Sequence, residues 1–239
     1  MPSGMNSPKS TTEVERPAKP RPRGRRPRQP SAEQLRRNAE TRLKIVHAAG
    51  LVVGRYGYAG CSISRITAEA GVSHGAFYLH FKSQQDLFDI LLPELGTEMV
   101  ASIAKAVRGA PTIEEMERRG ITANIAYLVD NPHIYRVMSE ATLHAPSAFK
   151  LHHDLLVQGY QRSLRRLLGA RAQDDRQLEA FASILMGARS FLFMRFAVDG
   201  PTIRHLDPDL IETYVQFVLA GLDRLVERGA AEPVQESGA

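Results

Sequence analysis

Cysteine is almost absent from this 239-residue sequence: Cys61 stands alone. Intrachain disulfides and thiolate metal clusters are thereby excluded, and a reducing cytoplasm fits. No uninterrupted apolar run is long enough to cross a bilayer, so no membrane association is expected. The opening segment MPSGMNSPKSTTEVERPAKP lacks the apolar stretch of a secretory signal, and export is not expected. Period-2 alternation worth reading as a strand is missing, which makes the expected fold all-α. A glycine-rich phosphate loop, a nucleophile elbow and a zinc-protease motif are missing too, so neither an enzyme nor a bound cofactor is expected. Acidic side chains are scarce at the amino end. Residues 1–43 hold eleven Lys/Arg against four Asp/Glu in a chain of net charge +5, so the remainder is slightly acidic. Such a split assigns one end of the molecule to a polyanion and the rest to another task.

Hydrophobic residues make up 43% and charged residues 24% of the chain, the range of a folded globular protein. Residues 1–30 are rich in Pro, Ser and basic side chains and cannot bury enough surface to offset their ordering entropy; they read as a disordered arm. At Ser31 the pattern changes. Ser31 and Gln34 have capping-box spacing, and Ile45, Ala49, Val52, Val53 and Tyr56 then recur at helical intervals until the cluster Gly54, Gly57, Gly60. A short helix at about Ile63–Ala70 with Ser62 as N-cap stops at Gly71. Ser73 caps another at about His74–Phe81, and Ser83 with Asp86 opens a longer fourth helix. Further helices are expected at 112–130, 132–143, 146–169, 174–198 and 208–228, with Gly and Pro punctuating the breaks. The organisation is therefore a basic arm (1–30), a three-helix head (31–82), a larger helical bundle (83–229) and a frayed tail (230–239).

The head carries the chemistry. Two short helices joined by Ala70-Gly71-Val72-Ser73 have the form of a helix-turn-helix, with Gly71 free to take the positive φ that reverses the chain. Ile63, Ile66 and Ala70 give one helix an apolar face, and Phe77 with Phe81 would anchor the next against Ile45, Ala49 and Val53. The opposite face then projects outward. Gly75 and Ala76 let the backbone approach base edges, and His74 offers a ring nitrogen, so base readout is expected over His74–Phe77. Tyr78, His80 and Lys82 suit phosphate oxygens, and Ser62, Ser64 and Ser73 lie where helix starts expose amides to an anion. These residues describe a major-groove reader of double-stranded DNA. Arg23, Arg25 and Arg26, within Arg21-Pro-Arg-Gly-Arg-Arg-Pro-Arg28, suit either a narrow minor groove or nonspecific phosphate contact.

In its order of residues this segment resembles the DNA-binding domain of the TetR family, on Tyr58, Ser62, Ile66, Ala70-Gly71-Val72-Ser73, Gly75, Tyr78, His80-Phe81 and Leu87. The resemblance covers about residues 40–90. It departs at Thr67, where Ala is more usual, and at Gln84, where a phosphate-contacting Lys is common; Lys82 is the candidate to replace that contact. The resemblance implies a cytoplasmic transcription regulator acting as a repressor, a palindromic operator, and a small inducer bound in the carboxyl-terminal domain. It also implies a homodimer paired through the last two long helices. The apolar character of 174–198 (Leu178, Phe181, Ile184, Leu185, Phe191, Leu192, Phe193, Phe196) agrees with coverage on several sides, whether by a partner or by one monomer's core.

Pro93 inside the fourth helix is a candidate hinge toward the head. Tyr127, Met138, Phe149, His152, Tyr160, Met186, Arg189 and Phe193 combine apolar bulk with isolated polar groups, as a pocket for a mostly apolar inducer would, with Arg189 or His152 reading a polar end. No pair among His133, His144, His152 and His153 has the i, i+4 spacing of helical metal ligands, so no metal site is assigned. A different class of function also fits the basic arm: an architectural, nucleoid-like DNA protein whose carboxyl-terminal domain only dimerises.

Overall fold

Hydroxyl side chains open the helices of the head. In this computed structural model, which describes residues 31–169, 175–200 and 202–231, the Ser31 Oγ accepts from the Gln34 amide at 3.2 Å and begins α1 (Ala32–Gly60). Ser62 caps α2 (Ile63–Ala70), Ser73 caps α3 (His74–His80) and Ser83 caps α4 (Gln84–Val107), each oxygen accepting the amide three residues on. Thr112 does the same for α5 (Ile113–Asp130). Proline at the first position starts α6 (Pro132–His144) and α7 (Pro146–Leu168), where its missing N–H is no loss. The chain continues through α8 (Asp175–Leu192), a single π-helical turn at Phe193–Ala197, a short hairpin of β1 (Val198–Asp199) and β2 (Thr202–Ile203), and α9 (Pro208–Ala231). The fold is all-α, as expected, with nine α-helices among the described residues.

Several expectations need correction. The two-residue strands were not foreseen, because two residues have no alternation to read. Helix α1 does end in the glycine cluster, as expected: it breaks at Gly57, whose φ of 72° and ψ of 171° leave the helical region, and finishes at Gly60. Gly54 serves a different purpose: a Cβ there would lie 2.4 Å from the His133 Cβ, so its absence lets α6 lie directly on α1. Pro93 neither ends nor divides α4, which runs continuously past it. Helix α9 extends two residues into the expected tail. The segment Asp175–Ala197 is, by length and composition, apolar enough to cross a membrane, although charged residues interrupt it; one of its members, Arg189, is tied into the protein core. The expected arm, with Arg23, Arg25 and Arg26, and residues 232–239 lie outside the described residues.

The core is continuous from head to bundle. Ile45, Ala49 and Val53 of α1 meet Ile66 of α2, Phe77 and Phe81 of the third helix and Leu87 and Leu91 of α4, all buried. Each large apolar side chain enclosed this way contributes about 2 kcal/mol. The same cluster extends through Met116, Ile121, Ile125 and Leu128 of α5 to Leu185 of α8 and Tyr214, Val215 and Val218 of α9.

Candidate nucleic-acid interface and interior cavity

Gly71 ends α2 in the left-handed region (φ 65°, ψ 35°), and its reversal lets the Val72 amide return to the Thr67 carbonyl at 3.0 Å. A side chain with a Cβ would be strained there. Thr67, where Ala is more usual in the resembling domains, is buried and satisfies its hydroxyl by donating to the Ile63 carbonyl at 2.9 Å. The turn seats α3 with Phe77 fully enclosed and Phe81 beneath it. Phe77 therefore cannot touch a base, and base readout over His74–Phe77 is corrected to exclude it. The helix keeps its orientation only because that ring is inside.

Viewed from Phe77, helical geometry sets Gly75 and Leu79 on the opposite side. Ser73, His74, Gly75, Tyr78 and Lys82 are exposed, Ala76 and His80 half-buried. Leu79 was missed: it is 82% exposed, against 56% for Tyr78. Its signal was available, since a leucine two positions from a buried anchor must point outward. No acidic residue lies on α3 itself. Ser64, also exposed, reaches across the turn to the His74 Nε2 at 3.2 Å and fixes that ring over the start of the helix. Gln84 donates from Nε2 to the Cys61 carbonyl at 2.9 Å, so it braces the entry to α2. Burial pushes the Cys61 thiol up to about 11, which keeps it unreactive.

The head is bound to the bundle through α1 and α6. Glu140 accepts the Tyr58 amide at 2.9 Å and the Arg136 Nε at 2.7 Å, while Arg136 donates to the Arg55 carbonyl at 3.1 Å. Burial would raise the Glu140 pKa, but Arg136 and the Tyr58 amide together hold it below the usual carboxylate range. A second tie pairs Arg42 of α1 with Glu94 of α4.

In the bundle, α4, α5, α7 and α8 line a half-open cavity of about 560 Å³. Of the eight residues expected to hold an effector, Tyr160, Met186 and Arg189 line it. Tyr127, Met138, Phe149, His152 and Phe193 do not. Tyr127 points its hydroxyl toward Glu98, 3.5 Å away. Met138 packs on the core, Phe149 lies against His153 and Phe193 against Tyr135. His152 is buried against Gly96 of α4, where a Cβ would fall 2.2 Å from its Cε1, and its Nε2 has no partner among the described residues. Desolvation, helped by His153, lowers its pKa to about 4. Sequence periodicity could not separate these residues from the lining, because all occupy inward faces.

The cavity floor is a closed polar network. Glu117, fully enclosed, accepts from Tyr160 and from Arg189, and from the Tyr214 hydroxyl at 3.0 Å; the Arg189 Nε donates to Tyr214 at 2.7 Å. Burial by itself would lower the Arg189 pKa, but the Glu117 carboxylate more than reverses this and holds the guanidinium charged. Burial, then the same carboxylate, raises both tyrosines. Gly120 leaves room for the guanidinium, whose Nη2 stands 3.5 Å from where a Cβ would be.

Residues 45–91 match the bacterial regulatory proteins of the tetR family. The chain is 29% identical over 73 residues to the fatty acid metabolism regulator protein of Bacillus subtilis (strain 168), a match spanning 30% of this chain and only 38% of that protein. Among solved structures, it is similar to a TetR-family regulator from Syntrophomonas wolfei (TM-score 0.60, 18% identity, 84% of this chain and 100% of that one). A TetR-like regulator from Rhodococcus sp. RHA1 is similar at TM-score 0.53 and 20% identity, covering 82% of this chain and 98% of that one. At these identities the likeness to solved structures shows the fold alone. The amino-terminal segment 45–91 is thus similar in sequence to the regulatory proteins of the tetR family, and the chain as a whole shares the all-helical fold of TetR-like regulators.

Proposed function

We propose that this chain is a dimeric, ligand-responsive repressor. Its head (31–82) reads a palindromic operator, and the bundle (83–229) dimerises and holds an effector. The observation that carries the reading is the outward face of α3: Ser73, His74, Gly75, Tyr78, Leu79 and Lys82 are exposed on a helix whose Phe77 is locked inside. Small residues at the groove floor admit base edges, while Tyr78, His80 and Lys82 contact phosphates and Ser62, Ser64 and Ser73 support the helix starts. Leu79 meets thymine methyl groups. Arg23, Arg25 and Arg26 add affinity from the arm.

Dimerisation is supported by the apolar side chains left uncovered on α8, the π-helical turn and α9: Ile184, Phe191, Met194, Phe196 and Phe217. A grouping of this kind marks an interaction surface, and two-fold pairing through it suits a palindrome. The effector acts from the cavity through α4, which lines it at Val100, Ile103, Ala104 and Val107 and meets the head at its N-cap, Ser83.

Selection from random DNA followed by gel shift tests the reading. A palindromic consensus, bound at least a thousandfold above random sequence, is the expected result. Uniform affinity that vanishes when residues 1–30 are deleted would instead establish an architectural DNA protein. Release of the selected duplex by a bundle-binding ligand tests the effector clause.

A further inference from the structure

The cavity in the bundle has an electrical character that its floor does not explain. Glu117 is its one lining carboxylate among the described residues, and three donors already occupy it. Arg189 has likewise spent its Nε and one Nη on Tyr214 and Glu117. The expectation that Arg189 reads a ligand's polar end therefore gives way: floor charge is neutralised from within.

The rim differs. Arg108 at the end of α4 and Arg162 and Arg166 on α7 line the same cavity, all three exposed. The latter two are four apart and so share one face of their helix. None forms an ion pair among the described residues, whereas Arg118, Arg119, Arg165 and Arg189 on the helices lining the cavity all do. Between rim and floor the walls are apolar, built by Val100, Ile103, Val107, Leu155 and Leu156. The groove between α5 and the start of α9, about 490 Å³, provides a contrast, since its Arg118 is held by Glu114 and Glu212.

We propose that the cavity takes an amphipathic anion, its apolar chain lying along Ile103, Val107 and Leu156 and its carboxylate or phosphate held by Arg108, Arg162 and Arg166. Three like charges around one opening repel each other, and an anion among them relieves that repulsion while gaining charge-assisted hydrogen bonds. The apolar walls supply a driving force that a free inorganic anion cannot use, and the volume is of the size that encloses small molecules. The inference rests on the effector reading, for it names the ligand class of that same cavity.

Calorimetry on the full chain with dodecanoate, dodecyl phosphate and dodecanol, all kept below micellar concentration, tests it. The two anions are expected to bind about tenfold or more tightly than the alcohol, with the advantage shrinking in high salt. Their order distinguishes a carboxylate from a phosphate source. The double variant Arg162→Gln/Arg166→Gln, changed only at exposed positions, is expected to lose the advantage and keep the alcohol's affinity. Ala104→Phe, which fills the cavity, is expected to weaken all three. Equal binding of alcohol and anion, an advantage that survives the arginine changes, or no binding of any probe overturns the proposal. A gel shift on the selected duplex separates the two claims. Dodecanol binding as well as the anions and releasing DNA would leave the effector reading standing without the anion. Anion binding without release would do the reverse.

Discussion

Glu117 has no exposed surface, yet it pairs with Arg189, with two tyrosine hydroxyls completing its shell. Removing one partner of such a pair leaves the other charge buried and unmatched. Glu117→Gln is therefore expected to lower stability by roughly 3–5 kcal/mol, measured by urea unfolding. Joining it to Arg189→Met should recover much of that loss, since the stranded charge goes too. His152 presents the opposite case, a neutral base kept from water. The unfolded chain protonates its imidazole near pH 6.5 and the folded protein only near 4. Stability from this group is thus fully present above pH 6.5 and lost as pH falls through that window, by roughly 3 kcal/mol at pH 4. His133, lowered by burial and then by His47, adds in the same direction. Thermal melts at pH 7 and pH 5 should show the loss. In His152→Leu the pH dependence should shrink, with little change at pH 7 because the Nε2 had no partner to forfeit.

Helix packing turns on two close approaches. Gly54 allows α6 onto α1, and Gly96 allows His152 of α7 onto α4. Gly54→Ala would set a methyl 2.9 Å from the His133 Cα, so backbone must move. A stability loss of about 1–3 kcal/mol, read as a lower melting temperature, is expected. On α3 the telling change is Leu79→Ala. Its side chain supports nothing inside, being 82% exposed, so the fold should be unaffected while affinity for the selected duplex falls about tenfold through lost apolar contact. Replacing thymine by deoxyuridine in that duplex should weaken wild type and leave the alanine variant unchanged. If wild type ignores the missing methyl groups, Leu79 does not read them.

Across the whole molecule, one side of α8 and α9 is polar only at intervals. Phe191 is 69% exposed and Phe217 57%. Phe191→Glu together with Phe217→Glu is expected to convert a dimer to a monomer in sedimentation and to abolish tight binding to a palindrome, while a single half-site is still bound weakly. A dimer that persists with both charges in place would assign the interface elsewhere. The helix order, four of the five hydroxyl caps (Ser31, Ser62, Ser73 and Ser83) and the left-handed Gly71 were legible in the sequence, because each depends on neighbours within four residues. The lining of the cavity was only partly legible. Of eight residues expected there, Tyr160, Met186 and Arg189 reach it, and Arg108, Arg162 and Arg166 resembled any solvated charges.

What the sequence determined by itself was the reading head. Its motif is contiguous, and the turn, the caps and the buried Phe77 all follow from local spacing. Only the tertiary structure decided which arginines are spent and which are free. Arg189 and Glu117 are 72 residues apart, and no periodicity within α5 or α8 reports that their faces meet. Separation in sequence likewise concealed why Gly54 and Gly96 are glycines: each is small for the sake of a helix that arrives later in the chain.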